Sequence, residues 1–242
     1  MRALLFSTIL AVSLFIPPSL DAFTYKVSLG TGDIIPIKTY RAVITEAYKR
    51  TGNKVEFLVT PTFRSADLVA AGLAVAEAVR VEDFIVMNSK LNKVPVVIGS
   101  IDVSILSMHP FTDKITKHSL IGARVGTLKS LQFLTNYMPF QKFLWMKNLE
   151  VLVKKLVSGQ LDYIVYTPDA FQKMARKWYP KSLFFEQPLV RRNLFHYVSK
   201  NRMDLVKPLS LAFQTMVDDG YIMKKMQLDA HKVDDYFLRR VQ

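Results

Sequence analysis

The chain has 242 residues, 50% hydrophobic and 22% charged, a balance that excludes a disordered protein. It has no cysteine, which excludes disulfide staples, thiolate metal sites, thiol catalysis and lipidation at an N-terminal cysteine. Its net charge of +13 leaves a solvated basic surface, an anionic ligand or an anionic envelope surface as readings, and sets nucleic acid aside because no dense arginine helix, zinc-finger spacing or aromatic single-strand motif is present.

Arg2 gives a short positive start, and Ala3 to Ile16 follows as fourteen residues without a charge. Pro17-Pro18-Ser19 breaks the run, and Ala22 is a small residue placed for cleavage before Phe23. A secretory signal peptide has this order, and the run is shorter than the about 20 apolar residues of a membrane span. The expectation is a signal peptide over residues 1–22, then a mature chain of 220 residues in the periplasm with no stable membrane insertion.

Thr24 to Leu29 alternates and is rich in aromatic and β-branched residues, which predicts a strand. Gly30-Thr31-Gly32-Asp33 is a turn, and Tyr40 to Arg50 carries Val43, Ile44, Ala47 and Tyr48 at helical spacing. Lys54 to Thr60 predicts a second strand, and Arg64 to Gly72 a short helix. Two strand–helix units in a row favour parallel pairing through right-handed crossovers. Residues 79–108 are strand-rich with Gly99 as a bend, and Met108 to His118 is a connector. The pattern then restarts. Ala123 to Gly126 is a short strand, Thr127 or Ser130 a cap for the helix after it, and Asn148 to Val157 an amphipathic helix. Leu161 to Tyr166 is a strand, Thr167-Pro168-Asp169 starts a helix, and Leu183–Phe185 and Leu194–Val198 are two further strands. Residues from Arg202 onward are largely helical, with Asp218-Asp219-Gly220 as an interruption. Two α/β runs without a flexible linker predict two lobes with a cleft between them.

The strand into Gly30-Thr31, the helix Glu46–Gly52, and the segments Pro61–Gly72, Ser119–Thr127, Leu156–Ala170, Phe195–Lys200 and Leu211–Gly220 resemble, in order and spacing, the periplasmic solute-binding proteins of family 3, the amino-acid-binding class. The resemblance covers nearly the whole mature chain. It implies the α/β, two-lobe type II periplasmic-binding fold, with residues 23–105 plus 192–242 in lobe one, residues 106–191 in lobe two, and hinges near Ser104–Met108 and Pro188–Arg192. It implies a non-catalytic protein without a cofactor that closes on a small polar solute, anionic or amino-acid-like, for an inner-membrane transporter or a sensor. The chain departs from the family pattern at two binding positions. Met108–Asp113 lacks the arginine that clamps a carboxylate, and Thr167 stands where an aspartate often holds an ammonium. The alternative is therefore an envelope interaction protein on this fold that has lost solute binding.

Thr31, Gly32 and Asp33 follow the first strand, as cleft contacts or as a helix-capping turn. Arg64 is placed to hold a carboxylate or phosphate, or to pair with Asp67 or Glu82. Arg80 carries the same two readings. Gly126 to Ser130 leads into a helix, where free N–H groups with the hydroxyls of Thr127 or Ser130 suit an anion. Thr167 is a ligand contact by its family position. The four histidines match no zinc spacing, no GxSxG occurs, and the aromatic series Phe133, Tyr137, Phe140, Phe143 and Trp145 reads first as core packing, with a cleft lining or a docking face as the other readings.

Overall fold

A computed structural model describes residues 22–31, 36–82, 90–229 and 238–240. Residues 1–21, nearly all of the expected signal peptide, lie outside the described residues. Lobe one is built on β1 (Thr24–Thr31), parallel to β2 (Lys54–Pro61) over eight residue pairs and parallel on its other edge to β3 (Ala76–Val81). The crossovers are α1 (Ile37–Arg50) and a one-turn 3-10 segment, Thr62–Arg64, running into α2 (Ser65–Ala70). Parallel strands need such crossovers, and the sequence supplies them as the alternating pattern predicted. Helix α1 buries Tyr40, Val43, Ile44, Ala47 and Tyr48, and Arg50 at its end reaches Glu46 at 3.0 Å and Asp219 at 2.7 Å.

Strand β4 (Leu91–Lys93) precedes β5 (Gly99–Ser107), which leaves lobe one. Lobe two holds β6 (Val125–Leu128), the 3-10 turn Lys129–Leu131, α3 (Leu134–Tyr137), β7 (Phe143–Met146), α4 (Leu149–Val157), β8 (Tyr163–Tyr166) and α5 (Pro168–Trp178). The cap of α4 is Asn148, whose side chain accepts from the N–H of Val151 at 2.9 Å. Gly126 admits the close approach of α4, since a Cβ there falls 2.6 Å from Leu152 Cδ1 and 2.5 Å from Leu161 Cδ1.

Strand β9 (Phe184–Ser199) runs sixteen residues back through both lobes. It was expected as two strands, because Pro188 and the charged Arg191-Arg192 interrupt the apolar pattern. The strand continues because Pro188 sits at a bulge. Val103 pairs with Val190 and Ser104 with Pro188, so Leu189 is the extra residue, and a proline at such a break removes no needed ladder bond. The sheet order is β2-β1-β3-β9-β5-β8-β6-β7. Helices α6 (Val206–Asp218) and α7 (Tyr221–Asp229) pack on α1, with Leu209, Ala212, Phe213 and Met216 facing inward and Val217 exposed. The last described strand, β10 (Leu238–Arg240), pairs with Phe184–Glu186, on the lobe-two side of the bulge. No described helix is long and apolar enough to cross a membrane.

His196 is fully buried in the lobe-one core. Its Nδ1 lies 3.0 Å from the Ala78 carbonyl and so must donate, leaving Nε2 to accept from the Tyr48 hydroxyl at 3.2 Å. Burial pushes its pKa from 6.5 down to about 4, against the opposing pull of the Ala78 bond. The unfolded chain therefore binds the extra proton first, and stability falls as pH drops from about 6.5 to about 4, by up to about 3 kcal/mol. Urea midpoints measured across that window are expected to fall more steeply for the wild type than for His196→Gln, which cannot titrate.

Candidate functional site

The parallel strands of each lobe direct their carboxyl ends toward the junction. Past β2 lies the turn Thr62–Arg64, and past β6 the turn Lys129–Leu131. The two turns face each other with Cα atoms within 8 Å. The cleft is thus where loops after strands meet, the usual site in open α/β sheets. Gly30 fixes the lobe-one wall, because a Cβ there falls 2.8 Å from the backbone Cα of Thr62. The Thr62 hydroxyl donates to the Thr31 carbonyl at 2.7 Å, and the Thr31 hydroxyl donates to the Thr60 carbonyl at 3.3 Å. Thr31 is therefore half-buried at the wall, tied to its neighbours. Gly32 and Asp33 lie outside the described residues.

Arg64 is exposed and rests over the Phe63 ring at 5.6 Å. The expected ion pair with Asp67 or Glu82 is absent among the described residues. Arg80 behaves oppositely. It is buried, its Nε donates to Glu77 Oε1 at 3.0 Å, and its Nη2 donates to the Thr62 carbonyl and to Ser65 Oγ. These bonds turn the guanidinium inward, so the ligand role expected for Arg80 gives way to one of bracing the Thr62 turn from behind. Glu77 also faces Ser65 Oγ at 2.8 Å and Ser28 Oγ at 3.0 Å. Burial pushes its carboxyl up, while Arg80 and the two hydroxyls pull it down.

On lobe two, Thr127 is also corrected. Its hydroxyl is buried and donates to the Val165 carbonyl at 2.8 Å, between strands, rather than capping a helix. Ser130 and Thr167 differ from it. Ser130 Oγ and Thr167 Oγ1 are buried atoms without a hydrogen-bond partner among the described residues. Thr167 is the N-cap residue of α5, 6% exposed, and its side chain makes no capping bond. Val125 pairs with Tyr163 and Gly126 with Ile164, so β6 and β8 are adjacent parallel strands. The two hydroxyls therefore sit at neighbouring strand ends, and Lys129, next to Ser130 in the chain, is exposed.

Arg192 is a residue the sequence reading placed only at a hinge. Its guanidinium lies 4.8 Å from the Tyr137 ring centre and 5.7 Å from that of Phe133, so a lobe-one strand residue packs on lobe-two aromatics. Adjacent Arg191 points to the other face and makes a fork on Asp102 at 2.7 and 2.8 Å. Strand alternation across the Arg-Arg pair was the available signal. Of the aromatic series, Phe133 is core, whereas Phe140 is 72% exposed. A separate depression of about 820 Å³ lies at the opposite end of lobe two, beneath the 107–115 connector and beside Arg124 and Asp162. It opens at the amino ends of β6 and β8 and does not join the cleft turns. No group of three or more His, Asp or Glu among the described residues is placed to hold a metal.

No protein-family model matches the sequence, and no curated protein matches it. Solved structures do match the fold. The VFT2 domain of BvgS from Bordetella pertussis is 16% identical, with a TM-score of 0.61 over 84% of this chain and 92% of that one. The probable amino-acid ABC transporter extracellular-binding protein YtmK from Bacillus subtilis is 19% identical, with a TM-score of 0.62 over 86% of this chain and 98% of that one. A variant of ArgBP from T. maritima is 12% identical, with a TM-score of 0.66 over 85% and 94%. The chain therefore has the two-lobe α/β fold of type II periplasmic binding proteins, a fold it shares with amino-acid binders.

The two candidate arginines separate in a stability measurement. Arg80→Met leaves Glu77 buried without its cation and is expected to cost about 3–5 kcal/mol in urea unfolding. Arg64→Met removes an exposed side chain and is expected to stay within about 0.5 kcal/mol of the wild type.

Proposed function

We propose that the chain is an exported, non-catalytic solute-binding protein of family 3 that closes its lobes on a small polar solute. The observation that carries this reading is the facing of the Thr62–Arg64 and Lys129–Leu131 turns across the lobe junction, with two partnerless buried hydroxyls behind the second turn. Each unbonded hydroxyl costs about 1–3 kcal/mol, a cost that a polar solute offsets on binding. Arg64 from one lobe and Lys129 from the other supply positive charge at the mouth, which suits an anionic or amino-acid-like solute. The signal-peptide order of residues 1–22 supports a periplasmic location, and the likeness to extracellular-binding proteins of transporters supports an inner-membrane transporter as partner. Likeness to a BvgS domain supports sensing as the other use of the same closure.

A second reading has its own observation. Arg80 is spent on Glu77, and Met108–Asp113 contains no arginine, so no buried guanidinium fork for a carboxylate comes from either segment. A chain that had given up solute capture and docked on an envelope component fits that pattern. Titration calorimetry and small-angle scattering of the purified exported protein against amino acids, organic acids and small peptides separate the readings. Solute capture is expected to give saturable heat and a smaller radius of gyration, and Arg64→Met is expected to weaken it roughly 10- to 100-fold. Absence of both signals across the panel, with one envelope protein crosslinking to the chain, decides for docking.

A further inference from the structure

We propose that the free edge of β7 is a docking strand for an extended segment of a partner protein, a segment with apolar residues between two carboxylates. This goes beyond both readings of the cleft and holds with either. Strand β7 pairs in parallel with β6 along its whole length, from Phe143 beside Val125 to Met146 beside Leu128. It ends the sheet order, and no described strand pairs with its other edge. Such an edge turns N–H and C=O groups outward and is a template for a further strand. Edge strands are usually protected by a proline, a bulge or a charge within the strand. Phe143-Leu144-Trp145-Met146 has no proline and no charge, and its register with β6 is unbroken. Its side chains are open as well. Leu144 and Trp145, on opposite faces, are 43% and 37% exposed, and Phe140 in the turn before them is more exposed still. Phe143 and Trp145 share a face, with ring centres 5.7 Å apart. A tryptophan among half-exposed apolar groups has the composition of a binding centre, in which aromatic anchors carry most of the energy.

The flanking charges select the occupant. Lys142 and Lys147 bracket the strand, both exposed, and neither forms an ion pair among the described residues. A second copy pairing antiparallel, with Phe143 opposite Met146, sets Lys142 opposite Lys147 at both ends. Parallel pairing in register sets each lysine opposite its own copy. Like charges directly opposite are destabilising, so the edge is guarded against itself. A partner strand with Asp or Glu at those two positions replaces both repulsions with attractions. Exposed pairs of this kind add little affinity, and they govern partner choice and association rate. The net charge of +13 draws an acidic segment in the same sense. Backbone bonds and the apolar side chains then supply the affinity, as in strand addition generally.

The test selects binders to the purified exported protein from a random twelve-residue peptide library displayed on phage, and measures them as labelled peptides by fluorescence anisotropy. The enriched peptides are expected to hold alternating apolar residues between acidic ones. Their affinity is expected to fall about tenfold or more in Leu144→Lys, which puts a charge into the edge. In the double variant Lys142→Glu with Lys147→Glu, preference is expected to pass to the same peptides remade with lysine for each acid. Both lysines are exposed, so that variant keeps the test open if Leu144→Lys fails to fold. No enrichment overturns the proposal, as does equal binding to the wild type and the variants, which places the peptides elsewhere on the molecule. A wild-type dimer in analytical ultracentrifugation that Leu144→Lys abolishes makes a second copy the occupant and also overturns it. None of these results bears on solute capture in the cleft.

Discussion

Everything in this molecule hangs on the antiparallel pairing of β5 with β9, the two strands common to both lobes. The outer edge of β9 carries β3, its other edge runs from β5 on to the short β4, and β5 carries β8 and, beyond it, β6 and β7. The ladder has a break between Val103 and Ser104, where Leu189 bulges and Pro188 lacks an N–H. On the lobe-two side, the Ser104 hydroxyl donates to Glu186 at 2.7 Å with both groups buried, and the Gln187 amide brackets Ile115 by accepting from its N–H at 2.8 Å and donating to its carbonyl. On the lobe-one side, the Asp102–Arg191 fork is exposed and contributes little to stability. The ladder is therefore weakest at the bulge, the natural place for a hinge if the lobes move.

A second bulge does comparable service beneath the cleft. In a regular strand, residues three apart point to opposite faces. In β3 the register slips between Glu77 and Arg80, with Glu77 opposite Tyr197 and Arg80 opposite Phe195. The extra residue brings both side chains to one side, where they meet Ser28, Ser65 and the Thr62 carbonyl. A buried ion pair is a weak source of stability, since desolvation offsets most of the attraction. Its value here lies in position. The cluster anchors the turn that carries Arg64, and Gly30 lets that turn sit directly on β1.

The same two bulges explain what the sequence could and could not reveal. Period and punctuation expose β1, α1, β2, α4 and α5, because each is a local pattern bounded by glycine, proline or a cap such as Asn148. Strand β9 is split in any local reading, since Pro188 is compatible with a continuous strand only at a bulge whose partner lies over eighty residues away. The Arg80–Glu77 pair is hidden for the same reason, because alternation assigns the two residues to opposite faces. Thr127 and Thr167 look alike as threonines at strand ends. Only the fold shows that Thr127 meets the Val165 carbonyl, while the Thr167 hydroxyl has no hydrogen-bond partner among the described residues. Arg192 stays invisible until the fold lays Phe133 and Tyr137 beneath it. Pair chemistry across long sequence separations is the part that composition and spacing do not encode.

That division has a consequence for how closure is driven. Contacts such as Arg80–Glu77 and Thr127–Val165 lie within one lobe and are indifferent to the angle between lobes. The hydroxyls of Ser130 and Thr167, past the ends of β6 and β8, are buried without a hydrogen-bond partner among the described residues. Closure over them without a polar partner costs about 1–3 kcal/mol for each group. On the proposed reading, a penalty of that size would shift an open–closed equilibrium by roughly tenfold for every 1.4 kcal/mol, toward the open arrangement when no solute is bound. On the same reading, a polar solute group that bonds the two hydroxyls would offset the penalty, and Arg64 and Lys129, one from each lobe, would add attraction for a negative group. Charge and desolvation would, on that reading, act in the same direction, and the same few groups would both hold a solute and couple it to closure.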